Sequence, residues 1–247
     1  SQVTVVFDEG TDIYFARNLI NERLGQIKSA LPENIEPVMG PIATGLGEIF
    51  TYTVSAEHPE QFDAMALREI QDWIIRPQLM QVKGVVEINA IGGYARQYHV
   101  TPDPVKLLQW QLGFDDVINA LNSNNSNRGA GYIERNGQQL LVRTQGQLSS
   151  IDDIEELIIS NRSGVNIRVR DVAEVAIGKE LRTGAATQNG EETVLGTAMM
   201  LMGENSRTVA RALAIKLEDI NRSLPEGVTA TAVYDRTQLV DKTIATV

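Results

Sequence analysis

Two stretches of the chain share one ungapped pattern: an apolar run, a glycine, a polar residue before an amphipathic segment, Leu-Pro-Glu, and a second apolar position. The first has Val3 to Phe7, Gly10, Asp12, then Ile20, Leu24, Ile27 and Leu31, closing on Pro32, Glu33 and Ile35. The second has Leu195 to Met202, Gly203, Asn205, then Leu213, Leu217, Ile220 and Leu224, closing on Pro225, Glu226 and Val228. Apolar spacings of four, three and four put each set on one side of a 3.6-residue helix. Asp12 and Asn205 suit the N-cap, where a side-chain oxygen accepts from an orphan backbone N–H. Proline biases the residue before it away from helical geometry, so Leu-Pro-Glu stops each helix. The pattern predicts a duplicated strand, helix, strand unit whose helices pack on sheets.

A further unit lies between the copies. Glu48 to Ser55 reads as a strand, Phe62 to Arg76 as a helix with Leu67, Ile70 and Ile74 on one face, limited by Pro77, and Val85 to Ile91 as a strand. Gly92-Gly93 breaks this pattern, while Met39-Gly40-Pro41 and Gly45-Leu46-Gly47 set an earlier boundary near Gly45. Beyond the break come a strand at Gln97 to Val100, a short helix from Asp103-Pro104 to about Gln111, and a second from Asp115 through Leu121. Asn122 to Asn127 is polar enough for a loop, and Asn136-Gly137 is a hairpin cue ahead of a strand at Gln139 to Val142. A short acidic helix is expected around Asp152 to Leu157, with strands at Glu156 to Ile159 and Ile167 to Val169. The units at Glu48 to Ile91 and Leu195 to Tyr234 read as two halves of one split βαβ domain, with Tyr94 to Glu180 inserted between them. The expected fold class is therefore α+β, with ferredoxin-like split βαβ subdomains, the first incomplete, and an inserted mixed α/β subdomain.

Charge and composition narrow the chemistry. Lys and Arg total 22 against 32 Asp and Glu, a net charge of −10 that opposes nucleic acid and attracts cations. With no cysteine, thiolate zinc sites, disulfides and thiol nucleophiles are excluded, and His58 and His99 are the two imidazoles. A metal site would rest on carboxylates, methionines, carbonyls or water. No run of about 18 apolar residues is present to span a membrane. The chain opens on Ser1 and almost at once on an apolar run, which reads as excision from something longer. No Gly-x-Ser-x-Gly, phosphate loop or His-Glu-x-x-His occurs, so neither catalysis nor a cofactor is expected.

Two acids stand out. Glu48 begins a strand just after Gly-Leu-Gly, and Asp72 lies on the following helix with Arg68 and Arg76 each four positions away. Carboxylates converging from strand and helix would supply part of a loose divalent-cation site. The competing reading of Asp72 is an ordinary i,i+4 ion pair with one of those arginines. Met199, Met200 and Met202 invite a copper reading through thioether ligation, but on a strand Met200 and Met202 share one face and Met199 takes the other, which favours packing. His99 in a strand and His58 beside Pro59 lack a second histidine at ligand spacing. The acid pairs Asp8-Glu9, Asp152-Asp153 and Glu155-Glu156 read as solvated turns and helix starts.

Ser1-Gln2-Val3-Thr4-Val5, Gly10-Thr11-Asp12, Met39-Gly40-Pro41, Gly45-Leu46-Gly47-Glu48-Ile49, Arg68-Glu69-Ile70-Gln71-Asp72-Trp73 and Tyr234-Asp235-Arg236-Thr237 closely resemble the heavy-metal branch of the resistance-nodulation-division efflux pumps. So do Gly129-Ala130-Gly131-Tyr132-Ile133-Glu134-Arg135 and Leu181-Arg182-Thr183-Gly184-Ala185-Ala186-Thr187. The resemblance runs the length of the chain and is nearest to the cobalt-zinc-cadmium type. It implies most of the first periplasmic loop of an inner-membrane proton antiporter. Residues 1–44 would be the second half of a first porter subdomain, 45–93 with 181–235 a second porter subdomain, 94–180 an inserted docking subdomain, and 236–247 a lead-in to a transmembrane helix. It also implies a transported divalent metal cation, the rest of the same protomer, a homotrimer, a periplasmic adaptor and an outer-membrane channel as partners, with Glu48 and Asp72 in the porter cleft. The hairpin near Asn136-Gly137 would reach into a neighbouring protomer. The Ser1 to Thr44 unit, without its partner strands, would present an unpaired sheet edge. Copper or silver stays open as the metal. A soluble ferredoxin-like module binding a small regulatory ligand is the reading from another class.

Overall fold

The computed structural model describes residues 3–32, 35–43, 47–125, 128–135, 138–144, 148–162, 164–182, 184–237 and 241. In chain order the elements are α1 (Ile13–Ile27), β1 (Glu48–Ala56), α2 (Ala64–Ile70), a π turn (Gln71–Ile75), α3 (Arg76–Leu79), β2 (Val85–Ile91), β3 (Arg96–Pro102), α4 (Pro104–Gln109) and α5 (Phe114–Asn124). Then follow β4 (Arg128–Arg135), β5 (Gln138–Thr144), α6 (Ile151–Glu155), β6 (Ile158–Arg162), β7 (Val165–Arg168), α7 (Val169–Val172), β8 (Ala173–Lys179), β9 (Ala186–Gln188), β10 (Glu191–Met200), α8 (Ser206–Asn221) and β11 (Val228–Asp235).

The main sheet has the order β11-β1-β10-β2, with β9 pairing the start of β10. Every pairing is antiparallel, so β1 and β2, which both flank β10, run parallel to each other and need a crossover. The helical stretch from α2 to α3 makes that crossover, and α8 makes the second, from β10 to β11. Two βαβ halves thus interleave as the split βαβ pattern expects. Between the halves lie the elements from β3 to β8, held by three two-stranded pairings, β3-β8, β4-β5 and β6-β7.

Burial follows the helix-facing side of the sheet. Phe50, Tyr52 and Val54 of β1, Ile88 of β2, and Val194 and Ala198 of β10 meet Leu67, Ile70, Ile75 and Leu79 from the first crossover and Leu213, Leu217 and Ile220 from α8. Fully burying such a side chain is worth about 1.5–3 kcal/mol, so this cluster dominates the stability of the sheet. Asn205 caps α8 as its position predicts, its Oδ1 accepting from the backbone N–H of Arg207 at 3.0 Å and Thr208 at 3.2 Å. The inserted elements bury separate clusters, one on Leu107, Val117, Ile167 and Val172 and another on Ile154, Val169, Ala173 and Val175.

The first copy of the duplicated pattern departs from expectation. Asp12 does cap α1, accepting from Phe15 N–H at 2.8 Å. Yet Ala16 is the helix's one buried residue, and Ile27 is 47% exposed. Val3 to Phe7 forms no strand, and Val6 is 87% exposed. A strand needs a ladder partner for its N–H and C=O groups, and no described strand lies beside these residues.

Smaller corrections have local causes. Pro77 does not end the helix before β2. The π turn ahead of it, in which Arg76 N–H bonds to Gln71 C=O, widens the ladder where the proline ring would otherwise strike a carbonyl. Helix α5 runs on through Asn124, whose Nδ2 donates back to Ala120 C=O at 2.8 Å, so the polar stretch is partly helical. Strand β6 starts at Ile158, after the turn ending α6, and Val169 opens α7 rather than closing a strand. Strand β10 ends at Met200, leaving Met202 in a turn, so Met200 and Met202 share no strand face. Gly45 and the Asn136-Gly137 turn lie outside the described residues, although β4 and β5 on either side pair antiparallel.

Candidate functional site

Glu48 is the first residue of β1 and faces solvent. A bulge between Glu48 and Phe50, opposite Met199 and Ala198, breaks the strand's alternation, so Ile49 and Phe50 are both buried while Glu48 is turned outward.

Asp72 is the second residue of the π turn and is only a quarter exposed. Its Oδ2 accepts from Arg68 Nε at 2.7 Å, while its Oδ1, also buried, has no hydrogen-bond partner among the described residues. The Arg68 guanidinium simultaneously donates from Nη1 to Gly92 C=O at 3.1 Å. The ion pair weighed against a cation role is therefore formed, through Arg68. It uses one carboxylate oxygen and leaves the other buried without a partner among the described residues.

Beneath Asp72 lies a polar brace. Gln71 is fully buried, and its Oε1 accepts from the Tyr52 hydroxyl at 2.9 Å, while its Nε2 has no partner among the described residues. Burial pushes the Tyr52 phenol well above its ordinary value of 10.0. The ring lies against Gly196 across the ladder, where an added Cβ would sit 2.2 Å from Tyr52 Cζ. Sequence reasoning passed over this trio. The available signal was a glutamine four positions after Leu67, on the apolar face of the helix.

A cleft of about 580 Å³ opens beside Asp72, lined by Arg68, Glu69, Trp73, Arg76, Met80, Arg96 and Tyr98 among others. Glu48 does not line it. It stands four residues along β1 from Tyr52, a distance of about 13 Å at 3.3 Å per residue. Glu48 is thus not among the residues lining the cleft beside Asp72, and among the described residues no group of three or more His, Asp or Glu side chains is placed to hold a metal ion. The other candidates disperse too. Met200 packs on the sheet core, and Met199 Sδ accepts from Asn89 Nδ2 at 3.4 Å. His58 is exposed 3.2 Å from Glu60, and His99 lies exposed over Gly178 on the opposite strand.

A split βαβ sheet carrying a long insertion is shared with known transporters. The model of the AcrB/AcrD/AcrF family matches residues 1–247. The chain belongs to this family. Within it, Protein HelA of Legionella pneumophila is 58% identical over 251 residues, covering 100% of this chain and 24% of HelA. The cobalt-zinc-cadmium resistance protein CzcA of Cupriavidus metallidurans is 57% identical over 253 residues, again covering 100% of this chain and 24% of CzcA. A crystal structure of a heavy metal efflux pump superposes with a TM-score of 0.84 at 30% identity, covering 98% of this chain and 24% of that one. The family member described here is thus a CzcA-like piece of the heavy-metal resistance-nodulation-division branch, spanning about a quarter of its curated relatives. Among its described residues no helix is long and apolar enough to cross a membrane.

Proposed function

We propose that this chain is the periplasmic porter and docking part of a proton-driven efflux pump for divalent heavy-metal cations of the zinc, cobalt and cadmium group. The observation that carries the reading is the complete β11-β1-β10-β2 sheet with its insertion, aligned over nearly the whole chain with a solved heavy metal efflux pump. Identity of 57% to a cobalt-zinc-cadmium resistance protein supports zinc, cobalt or cadmium as the cation.

In this reading residues 45–93 with 181–235 form one porter subdomain, 94–180 the docking subdomain, 1–44 half of another porter subdomain, and 236–247 the approach to a transmembrane helix. The rest of the protomer supplies the other wall of the cleft, and a homotrimer engages a periplasmic adaptor and an outer-membrane channel. Rigid helix-backed subdomains rock against one another while protons cross elsewhere in the protomer. Glu48 and Asp72 serve as weak, exchangeable carboxylate ligands in a loose cation site completed by the rest of the protomer. A closed cage would hold the ion too long for export. The Oδ1 of Asp72, buried without a hydrogen-bond partner among the described residues, is the atom that supports its part in this.

The test is metal resistance in a strain lacking the full gene, complemented with the pump carrying Glu48→Ala and Asp72→Ala. Loss of zinc, cobalt or cadmium resistance at normal membrane levels of the protein is expected, and unchanged resistance would sink the role of both acids.

A further inference from the structure

The main sheet and the inserted elements are joined by two chain crossings, one through Gly92 to Ala95 and a return leading from Glu180. They meet where Glu180 N–H donates to Ala95 C=O at 3.0 Å. The apolar clusters do not bridge this joint, since the sheet cluster and the two clusters of the insertion share no residue. Polar ties brace the crossings instead, and two of them, Glu69–Arg96 and Arg182–Tyr94, pass from one unit to the other. Arg68 of α2 donates to Gly92 C=O, Glu69 of α2 pairs with Arg96 of β3 at 2.7 Å, and Arg182 on the return crossing donates to the Tyr94 hydroxyl at 3.1 Å and pairs with Glu192 of β10.

The first crossing is seated by shape. Gly92 and Gly93 adopt φ of +87° and +65°, and a Cβ on either would come within 2.5 Å of a backbone oxygen, Thr193 for one and Ala64 for the other. Such a close fit leaves the Gly92 carbonyl to be gripped from the helix side by Arg68. One planar guanidinium makes both bonds, Nε to Asp72 and Nη1 to Gly92, and the fork is fixed only while both acceptors hold it. Arg68 is about a quarter exposed, so it is screened less than the Arg96–Glu69 pair, whose side chains are 42% and 34% exposed.

We infer that Arg68 is an internal counter-cation that ties Asp72 to the crossing at Gly92, so that neutralising or occupying Asp72 loosens the joint between the sheet and the insertion. Without the carboxylate charge, Arg68 would keep a single carbonyl acceptor in a mostly buried place, and its guanidinium would turn to water. A cation that reaches the buried, unpartnered Oδ1 acts the same way, because two positive charges close together repel in a weakly screened site. The occupied half of this statement rests on the cation reading above, whereas the neutralised half does not.

The absence of cysteine makes the chain suited to paired spin labels. Asn119→Cys on α5 and Glu218→Cys on α8 place exposed labels on the insertion and the sheet unit, and pulsed electron resonance reads the spread of distances between them. Asp72→Asn and Arg68→Gln are each expected to widen that spread about twofold, with the double variant no wider than either alone, as for two ends of one interaction. Arg68→Lys, which keeps the charge but not the fork, should fall between. An unchanged spread in Asp72→Asn, with native far-ultraviolet circular dichroism, overturns the inference, and if Asp72→Asn does not fold, an unchanged spread in Arg68→Lys does so. Saturating zinc should widen the spread of the otherwise unmodified chain and leave Asp72→Asn as it was. Zinc that binds by calorimetry without widening the spread removes the coupling but spares the cation reading. Widening in Asp72→Asn with no response of the unmodified chain to zinc removes the occupied half of the inference and leaves the Arg68 brace standing.

Discussion

Tyr52 and Gln71 form a buried pair in which one amide end is satisfied and the other is not. Deleting the hydroxyl in Tyr52→Phe leaves Gln71 with neither end partnered, at a cost of about 1–3 kcal/mol in urea unfolding. Tyr52→Phe with Gln71→Leu should recover most of that loss, because removing both polar partners leaves nothing unpaired. The same phenol sets an alkaline limit. Burial raises its folded pKa above the unfolded value near 10, so the folded state retains a proton that the unfolded chain releases, and stability falls as pH climbs above about 10. The slope attributable to this one proton, about 1.4 kcal/mol per pH unit, should be absent in Tyr52→Phe, and denaturant midpoints measured from pH 8 to 11 check it. Gly196→Ala should cost at least as much, since its Cβ would drive into the Tyr52 ring from an adjacent strand, and overpacking of this kind costs about 1–3 kcal/mol or more. The two candidate acids were legible in sequence as residue types on a strand and a helix. What was not legible was which arginine Asp72 would choose. The spacing of four is equal on either side and both arginines line the cleft beside Asp72, but the path from Asp72 to Arg76 runs through the wider π turn, while Arg68 lies back along α2 and makes the pair.

At the scale of elements, α1 and α8 show what a hydrophobic pattern determines and what it leaves open. Both helices follow the same spacing and both are capped by the residue their sequences indicate, Asp12 and Asn205. Periodicity and capping are properties of the segment itself, so they could be read directly. Whether the apolar face is covered depends on distant strands, and only α8 has them: its Leu213, Leu217 and Ile220 are at most 3% exposed, whereas Ile27 of α1 is half exposed. For the same reason Val3 to Phe7 has strand composition without a strand. The difference has a measurable consequence, because a cap contributes to global stability only if its helix is part of the cooperative core. Asn205→Ala should lower the unfolding free energy by about 1 kcal/mol, whereas Asp12→Ala should leave the main transition in place and alter only the fraying of α1. Parallel urea titrations and amide exchange over α1 and α8 distinguish the two, and equal shifts in both variants would mean that α1 is coupled to the sheet after all.

For the whole molecule, the order β11-β1-β10-β2 implies that the sheet is closed by its own two halves and does not depend on what lies between them. The insertion was visible in sequence because Gly92-Gly93 interrupts a strand, helix, strand pattern that resumes only at Leu195. Its internal pairings were harder to read, because short strands such as β6 and β7 carry too few residues for a period to emerge. The geometry at the joint makes the independence of the sheet testable. Ala95 and Glu180 are hydrogen-bonded neighbours, so the ends left by removing residues 96–179 already lie side by side and need only a short glycine-serine turn to reconnect them. Closing so short a loop costs little entropy, and the excision takes no side chain from the sheet cluster. It does remove Arg96 and its pair with Glu69, a partly exposed tie worth at most about 1 kcal/mol. The shortened chain is therefore expected to unfold in one cooperative transition, with the β1-β10 and β1-β11 ladders intact by amide exchange and a denaturant slope reduced in proportion to the surface lost. A broad, non-cooperative melt would instead show that the sheet needs the insertion to fold, and that the two separate cores hide a dependence carried by the polar joint at Gly92.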